Sequence, residues 1–202
     1  MVVTISASYG AGGAYVAPRL AERLGVPFVD RAIPNEVARR LAVPLTEAVR
    51  HDESAGSAFE RFIRVLAPAG MAFGARPMLE HEVVDENLYR DMTEQVIREQ
   101  AAREGGVFLG RAAALVLREA SGALHVRLYG PREARVERAM ELERIGRQEA
   151  ERRLDDNDRA REAYVHHFYG ADPNDLRYYH LAIDSTAVGL DRCVELIVAA
   201  RD

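Results

Sequence analysis

Val2-Val3-Thr4-Ile5-Ser6-Ala7-Ser8-Tyr9-Gly10-Ala11-Gly12-Gly13 opens the chain with an apolar run that ends in a glycine turn. Val2, Val3 and Ile5 predict a short buried strand over residues 2–6. Beyond the turn, Val16, Leu20 and Leu24 recur at i, i+4 and i+8, with Arg19, Glu22 and Arg23 on the other faces. That period belongs to an amphipathic helix. Strand, glycine turn and helix together let successive backbone N–H groups and a helix N-terminus face an anion. The same glycines would also suit a merely tight turn, but the flanking strand and helix favour the anion site.

Working outward, Gly25 closes the helix, and residues 26–29 form a second strand ending at Asp30-Arg31, which completes a parallel βαβ unit. Residues 34–104 read as helical and irregular. Gly56, Pro68, Gly70, Gly74 and Pro77 make residues 52–77 the loosely packed part. A regular helix is expected over 88–103, where Met92, Val96 and Ile97 share a face, and Gly105-Gly106 ends it. Further strands are expected at 107–109, 124–129 and 180–184. Helices are expected at 112–118, at 131–169 with breaks near Gly146 and again near 155–158, and around Leu190, Val194 and Ile197. Five strands alternating with helices predict an α/β protein with a parallel sheet covered on both faces and ligands at the strand C-termini.

With 202 residues, 48% of them hydrophobic, the chain is expected to form a single domain, 1–202. A net charge of −5 argues against nucleic acid or a membrane surface as partner. No apolar run approaches the roughly 20 residues that span a bilayer. The N-terminal stretch has no basic residue before Arg19 and carries glycines in its middle, unlike a secretory signal. With Cys193 as its one cysteine, the chain can form no internal disulfide, and a cytoplasmic protein is the expectation.

All 27 basic residues in the Lys+Arg total are arginine, and there is no lysine. A P-loop of the form GxxxxGK[ST] places an ammonium beside the transferred phosphate. Here Gly13 stands at the lysine position and Ala14 at that of the magnesium-ligating Ser or Thr. Phosphate chemistry must therefore rely on backbone N–H groups and guanidinium forks. One charged hydrogen bond is worth about 1.5–3 kcal/mol, so binding survives its loss. A lost transition-state contact costs about 10²–10³ in rate unless an arginine takes over. Pro18 also removes an N–H inside the helix, which predicts a late start or a bend.

Residues 5–13 resemble the opening of the cytidylate kinase-like family, whose members often carry a YGxGG loop. Leu109-Gly110-Arg111 is similar to the strand-end Gly-Arg of bacterial cytidylate kinases, residues 155–161 to their lid motif, and Asp184-Ser185-Thr186 to the turn after their last strand. The resemblance covers roughly residues 2–31 and 105–200. It implies a P-loop kinase fold with sheet order 2-3-1-4-5, a helical NMP-binding-type insertion at 33–104 and a lid-type segment at 141–172. It also implies phosphoryl transfer from ATP, with Mg2+, to a pyrimidine nucleoside monophosphate. Ser8, Tyr9, Gly10, Ala11, Gly12 and Gly13 would hold the donor phosphates. Asp30, Arg31 and Arg111 would face the acceptor, and Arg161, Arg153 and Asp158 would act from the lid. Three departures from the family pattern stand out: Leu109 replaces an acid, Leu154 replaces a lid arginine beside Arg152 and Arg153, and Ala14 replaces an arginine.

Read on their own, several of these residues keep alternatives. Asp30 could ligate magnesium through water, orient Arg31 or cap the next segment. Arg144, Arg147, Arg152, Arg153, Arg159 and Arg161 could all belong to a solvated helix balanced by Glu141, Glu143, Glu149 and Glu151. His166 and His167 are adjacent on a helix and so unsuited to share a metal. They group with Tyr164, Phe168 and Tyr169 in an aromatic patch expected to pack rather than stack on a base. Two competing functions remain. One is a non-catalytic nucleotide-binding protein that has lost turnover. The other is an NAD-type dinucleotide-binding oxidoreductase, suggested by Gly10-x-Gly12 with Asp30 about 20 residues on.

Overall fold

The computed structural model describes residues 1–29 and 86–201, apart from the side chains of Glu86, Leu88 and Tyr89. Asp30, Arg31, most of the expected 33–104 insertion and the loosely packed 52–77 stretch lie outside the described residues. The elements follow in the order β1 (Val2–Ala7), α1 (Gly13–Leu24), β2 (Phe28–Val29), α2 (Glu86–Arg103), β3 (Gly106–Leu109), α3 (Ala113–Val116) and β4 (Ala123–Tyr129). After these come α4 (Arg132–Glu143), α5 (Arg147–Tyr169), a 3-10 turn (Leu176–Tyr178), β5 (Leu181–Asp184), α6 (Ser185–Val188) and α7 (Leu190–Ala199).

The five strands form one parallel sheet of order β2-β3-β1-β4-β5, the order expected for a P-loop kinase fold. Register runs Ile5 beside Leu109 on one side of β1 and Ser6 beside Arg127 on the other. Strand β2 pairs with β3 and lies one strand away from β1. A dinucleotide fold needs the strand carrying its ribose acid beside the glycine turn. This order therefore removes the NAD reading.

Side-chain alternation divides the part of the core that touches the sheet in two. Val3, Ile5, Val126 and Leu128 join Val16 and Leu20 of α1 and Cys193 and Ile197 of α7 in one wholly apolar cluster. Phe108 and Val29 meet Val96 and Ile97 of α2 and Tyr164 and Val165 of α5 on the other side. The aromatic patch packs there as expected: the Tyr164 and Phe168 rings meet edge to face at 4.9 Å. His166 and His167 are exposed, and the His167 ring meets that of Phe168 edge to face at 4.6 Å.

Three local expectations need correction. Helix α1 begins at Gly13, with no late start, and includes Pro18. The carbonyl that Pro18 leaves without its usual donor is that of Ala14, an exposed residue that water can reach. Helix α5 runs unbroken through 155–158, because acids there make ion pairs with α4 instead of capping: Asp155 with Arg132 and Asp158 with Arg135. Helix α3 is only Ala113–Val116, since Gly110, Arg111 and Ala112 precede it in the left-handed region. Gly25 does close α1, with φ of 65°. Among the described residues no helix is long and apolar enough to cross a membrane.

Candidate functional site

The loop between β1 and α1 is held by its carbonyls. Ser8 O accepts from Ala11 N at 3.0 Å, and Tyr9 O accepts from Arg135 Nη1 at 2.9 Å. Ala11 O accepts from Ser185 Oγ at 2.8 Å, and Gly12 O from the N–H groups of Tyr15 and Val16. With these oxygens drawn into the protein, the N–H groups of Gly10, Gly12 and Gly13 have no acceptor among the described residues. They lie at a helix N-terminus, where the macrodipole favours negative charge. Glycine is needed here for two reasons. Gly10 and Gly12 have φ of 75° and 79°. In addition, a Cβ on Gly10 would sit 2.2 Å from Arg135 O, and one on Gly12 would sit 2.3 Å from Leu190 Cδ2.

This junction lines an open cleft of about 640 Å³, formed by the loop, the turn after β3 and the inner side of α5. Arg111 lies on that second wall, 5% exposed, in a turn where Gly110, Arg111 and Ala112 have φ of 72°, 54° and 52°. Two successive non-glycine residues in that region store backbone strain of the kind found at ligand sites.

Charge is concentrated around the same cleft. Asp158 on α5 accepts from Tyr9 N at 3.1 Å and pairs with Arg135 Nη1 at 2.7 Å, so one loop amide already carries a carboxylate. Arg127 on β4 is 3% exposed and donates to Ser8 Oγ (2.7 Å), Asn174 Oδ1 (2.9 Å), Leu128 O (2.9 Å) and Ser6 O (3.3 Å). Arg161 donates to Ser6 Oγ (3.1 Å) and to the same Asn174 Oδ1 (2.7 Å). Burial first, and the neighbouring Arg161 charge second, bring the Arg127 guanidinium down to about 10. Burial likewise lowers Arg161, against the pull of Asp158 and Glu162.

The structure therefore brings Ser8, Tyr9, Gly10, Gly12, Gly13, Arg111, Asp158 and Arg161 to one cleft. Ala11 is fully buried behind the loop and contributes its carbonyl to Ser185. Arg153 is bound to Glu149 and Glu143, each at 2.7 Å, and does not line the cleft. The Asp184-Ser185-Thr186 turn acts as a brace: Asp184 caps α6 while Ser185 ties the turn to the loop. Sequence reasoning missed Arg127 and Arg135. For Arg127 there was a signal, a cation in the middle of an apolar strand where burial demands partners. Arg135 carries no local mark among its neighbours on α4. Its role appears only once α4 packs on Gly10.

Among the described residues no group of three or more His, Cys, Asp or Glu is placed to hold a metal ion. Asp158 is committed to Arg135 and Tyr9, while Gly13, Ala14 and Leu109 offer no side-chain oxygen. These residues do not fit a protein-held magnesium ion.

Residues 2–187 match the cytidylate kinase-like family. A cytidylate kinase of Methanopyrus kandleri is 29% identical over 214 residues, covering 100% of this chain and 93% of that protein. A protein of Corynebacterium glutamicum named uronate isomerase is 28% identical over 142 residues. That match covers 70% of this chain but only 27% of the longer protein, about a quarter of its length. Among solved structures, an uncharacterized protein from Eubacterium ventriosum superposes with a TM-score of 0.71 at 19% identity, covering 100% of this chain and 98% of that one. A shikimate kinase from Bacteroides thetaiotaomicron gives 0.50 at 14% identity, covering 98% of each chain. These structural likenesses bear on the fold.

Proposed function

The chain belongs to the cytidylate kinase-like family, and we propose that it binds ATP at the β1–α1 loop and passes the γ-phosphoryl group to a pyrimidine nucleoside monophosphate such as CMP or dCMP. The observation that carries this reading is the loop itself. Its carbonyls are withdrawn into the protein, and the N–H groups of Gly10, Gly12 and Gly13 are left at a cleft that Arg111 and Arg161 also line. In this reading, residues 33–104 form the acceptor-binding insertion, with Asp30 and Arg31 at its start, and residues 141–172 form the lid. The protein is cytoplasmic and its partners are small nucleotides.

An oxygen of the acceptor phosphate attacks the γ-phosphorus, the bond from γ-phosphorus to the β,γ-bridging oxygen breaks, and ADP leaves with that electron pair. Little covalent work falls to the protein, so catalysis is positioning plus neutralisation of charge on the transferred group. The loop amides hold the β-phosphate, Arg111 orients the acceptor, and Arg161 faces the spreading negative charge. Magnesium enters this reading as a companion of the ATP phosphates, and no step depends on a protein ligand for it.

Incubating the purified protein with ATP, magnesium and CMP, UMP or dCMP is expected to yield the corresponding diphosphate. Absence of diphosphate above background would overturn the proposal. Two observations favour a second reading, binding without turnover: the Tyr9 amide is already taken by Asp158, and no lysine stands at position 13. ATP binding seen by calorimetry with no diphosphate formed would establish that reading instead.

A further inference from the structure

We propose that buried Arg127 and half-buried Arg161, bridged by the neutral amide oxygen of Asn174, are the positive charge that stands in for the P-loop lysine. They form a subsite for the polyphosphate of the donor. This rests on the reading of the loop as an ATP site.

Two guanidiniums share one acceptor, Asn174 Oδ1, at 2.9 and 2.7 Å. The other acceptors of both groups are hydroxyl and carbonyl oxygens of Ser6, Ser8 and Leu128. Among the described residues no carboxylate lies within ion-pair distance of either. Glu162 reaches them only at second hand, by accepting from Asn174 Nδ2 at 3.0 Å. Arg161 Nε is buried and has no acceptor among the described residues. Buried arginines ordinarily sit with carboxylates, because desolvating a charge is costly unless an opposite one compensates. Here no described carboxylate pairs directly with either guanidinium, and Asp158 acts on both only from a distance, where the loop meets the cleft.

The placement explains how a lysine-free loop can work. Arg127 is fixed on β4 beside Ser6 and grips Ser8, the residue that begins the loop. Arg161 completes the pair from α5 and lines the cleft directly. Arg127 is thus a positioning residue that also adds charge behind the site, and Arg161 is the group that meets the ligand. A polyphosphate entering the cleft supplies the missing negative charge in surroundings of low dielectric, where each charge counts for more than in water. Together with Arg111 and the Arg135–Asp158 pair, the cleft carries local positive charge in a chain whose net charge is −5.

The test is binding of ATP and of inorganic tripolyphosphate, followed by calorimetry, in three variants of the full chain. Asn174→Asp puts a carboxylate between the guanidiniums without altering either, Arg127→Met removes one charge, and Arg127→Lys restores it without the planar fork. The expected result is Kd raised at least about tenfold by Asn174→Asp and by Arg127→Met, with Arg127→Lys recovering most of that loss. A folded Asn174→Asp protein, checked by circular dichroism, that binds tripolyphosphate within about twofold of wild type would overturn the inference. So would an Arg127→Lys protein as weak as Arg127→Met, which would mean that Arg127 matters only as a hydrogen-bonding scaffold. Should Arg127→Met not fold, Asn174→Asp decides, because it sits on the surface end of the pair. Wild type that bound neither ATP nor tripolyphosphate would instead remove the nucleotide reading, and this inference with it.

Discussion

The two faces of β1 and β4 are built by opposite rules. Toward α1 and α7, β1 and β4 present Val3, Ile5, Val126 and Leu128, which cluster with Val16, Leu20, Cys193 and Ile197. Toward α5 and the 3-10 turn the same two strands present Thr4, Ser6, His125 and Arg127. His125 bonds Thr4 Oγ1 at 2.8 Å, its backbone N–H donates to His180 Nδ1 at 3.0 Å, and the two imidazole rings stack at 4.9 Å. Burial first, and the facing His180 second, hold the His125 imidazole down at about 4. Two residues along the strand, Arg127 meets similar burial but stays charged, because a guanidinium cannot be deprotonated near neutrality. One face stores stability. The other keeps a charge in reserve, and only a group unable to discharge itself could do so.

The largest effect is expected on the apolar face. Leu20→Ala empties a fully buried site and should cost about 2–5 kcal/mol in denaturant unfolding. ATP affinity of the folded protein should stay near wild type, whereas loss of binding in parallel with stability would break the contrast between the faces. Gly10→Ala should come next. The left-handed backbone alone costs about 1–2 kcal/mol, and the added Cβ meets Arg135 O. ATP binding measured by calorimetry should therefore fall along with the unfolding midpoint.

Acid sharpens the contrast on the polar face. The His125 pKa is about 4 in the folded chain against 6.5 for the free side chain, so the unfolded chain binds the extra proton. Stability is fully present above pH 6.5 and falls as pH drops from there toward 4, by about 2–3 kcal/mol. Thermal unfolding between pH 7 and 4 should show this slope, and His125→Gln should flatten it. An unchanged slope in the variant would assign the acid sensitivity elsewhere. The smallest effect belongs to the outer side of α5. Arg152→Ala removes solvent-exposed pairs with Glu149 and Asp156. No resolvable change in unfolding midpoint or binding is expected, and a clear loss would mean that this arginine has a role in ligand contact.

Much of the scaffold was legible in the chain. The 3.6-residue spacing of Val16, Leu20 and Leu24, the closure at Gly25 and the short apolar runs at 107–109 and 124–129 all carry local signals strong enough to survive packing. The breaks expected at 155–158 failed because an Asp reads locally as a cap or breaker. Its tertiary partners, Arg132 and Arg135, are more than twenty residues away. The site was half legible. Glycines marked the loop, since only they tolerate its backbone, yet nothing near Asn174 announces that two arginines from different elements converge on its oxygen.

From the sequence by itself follow the strand, turn and helix at the N-terminus, the family likeness, and the rule that any cation in the site is an arginine, because no lysine exists to serve. Only the tertiary structure chose which arginines. Sheet register set Arg127 beside Ser6, the packing of α5 brought Arg161 to the same oxygen, and that of α4 turned the Tyr9 carbonyl away from the cleft. Propensity and periodicity act over a few residues, whereas the electrostatics of a buried charge depend on which groups long-range folding leaves beside it.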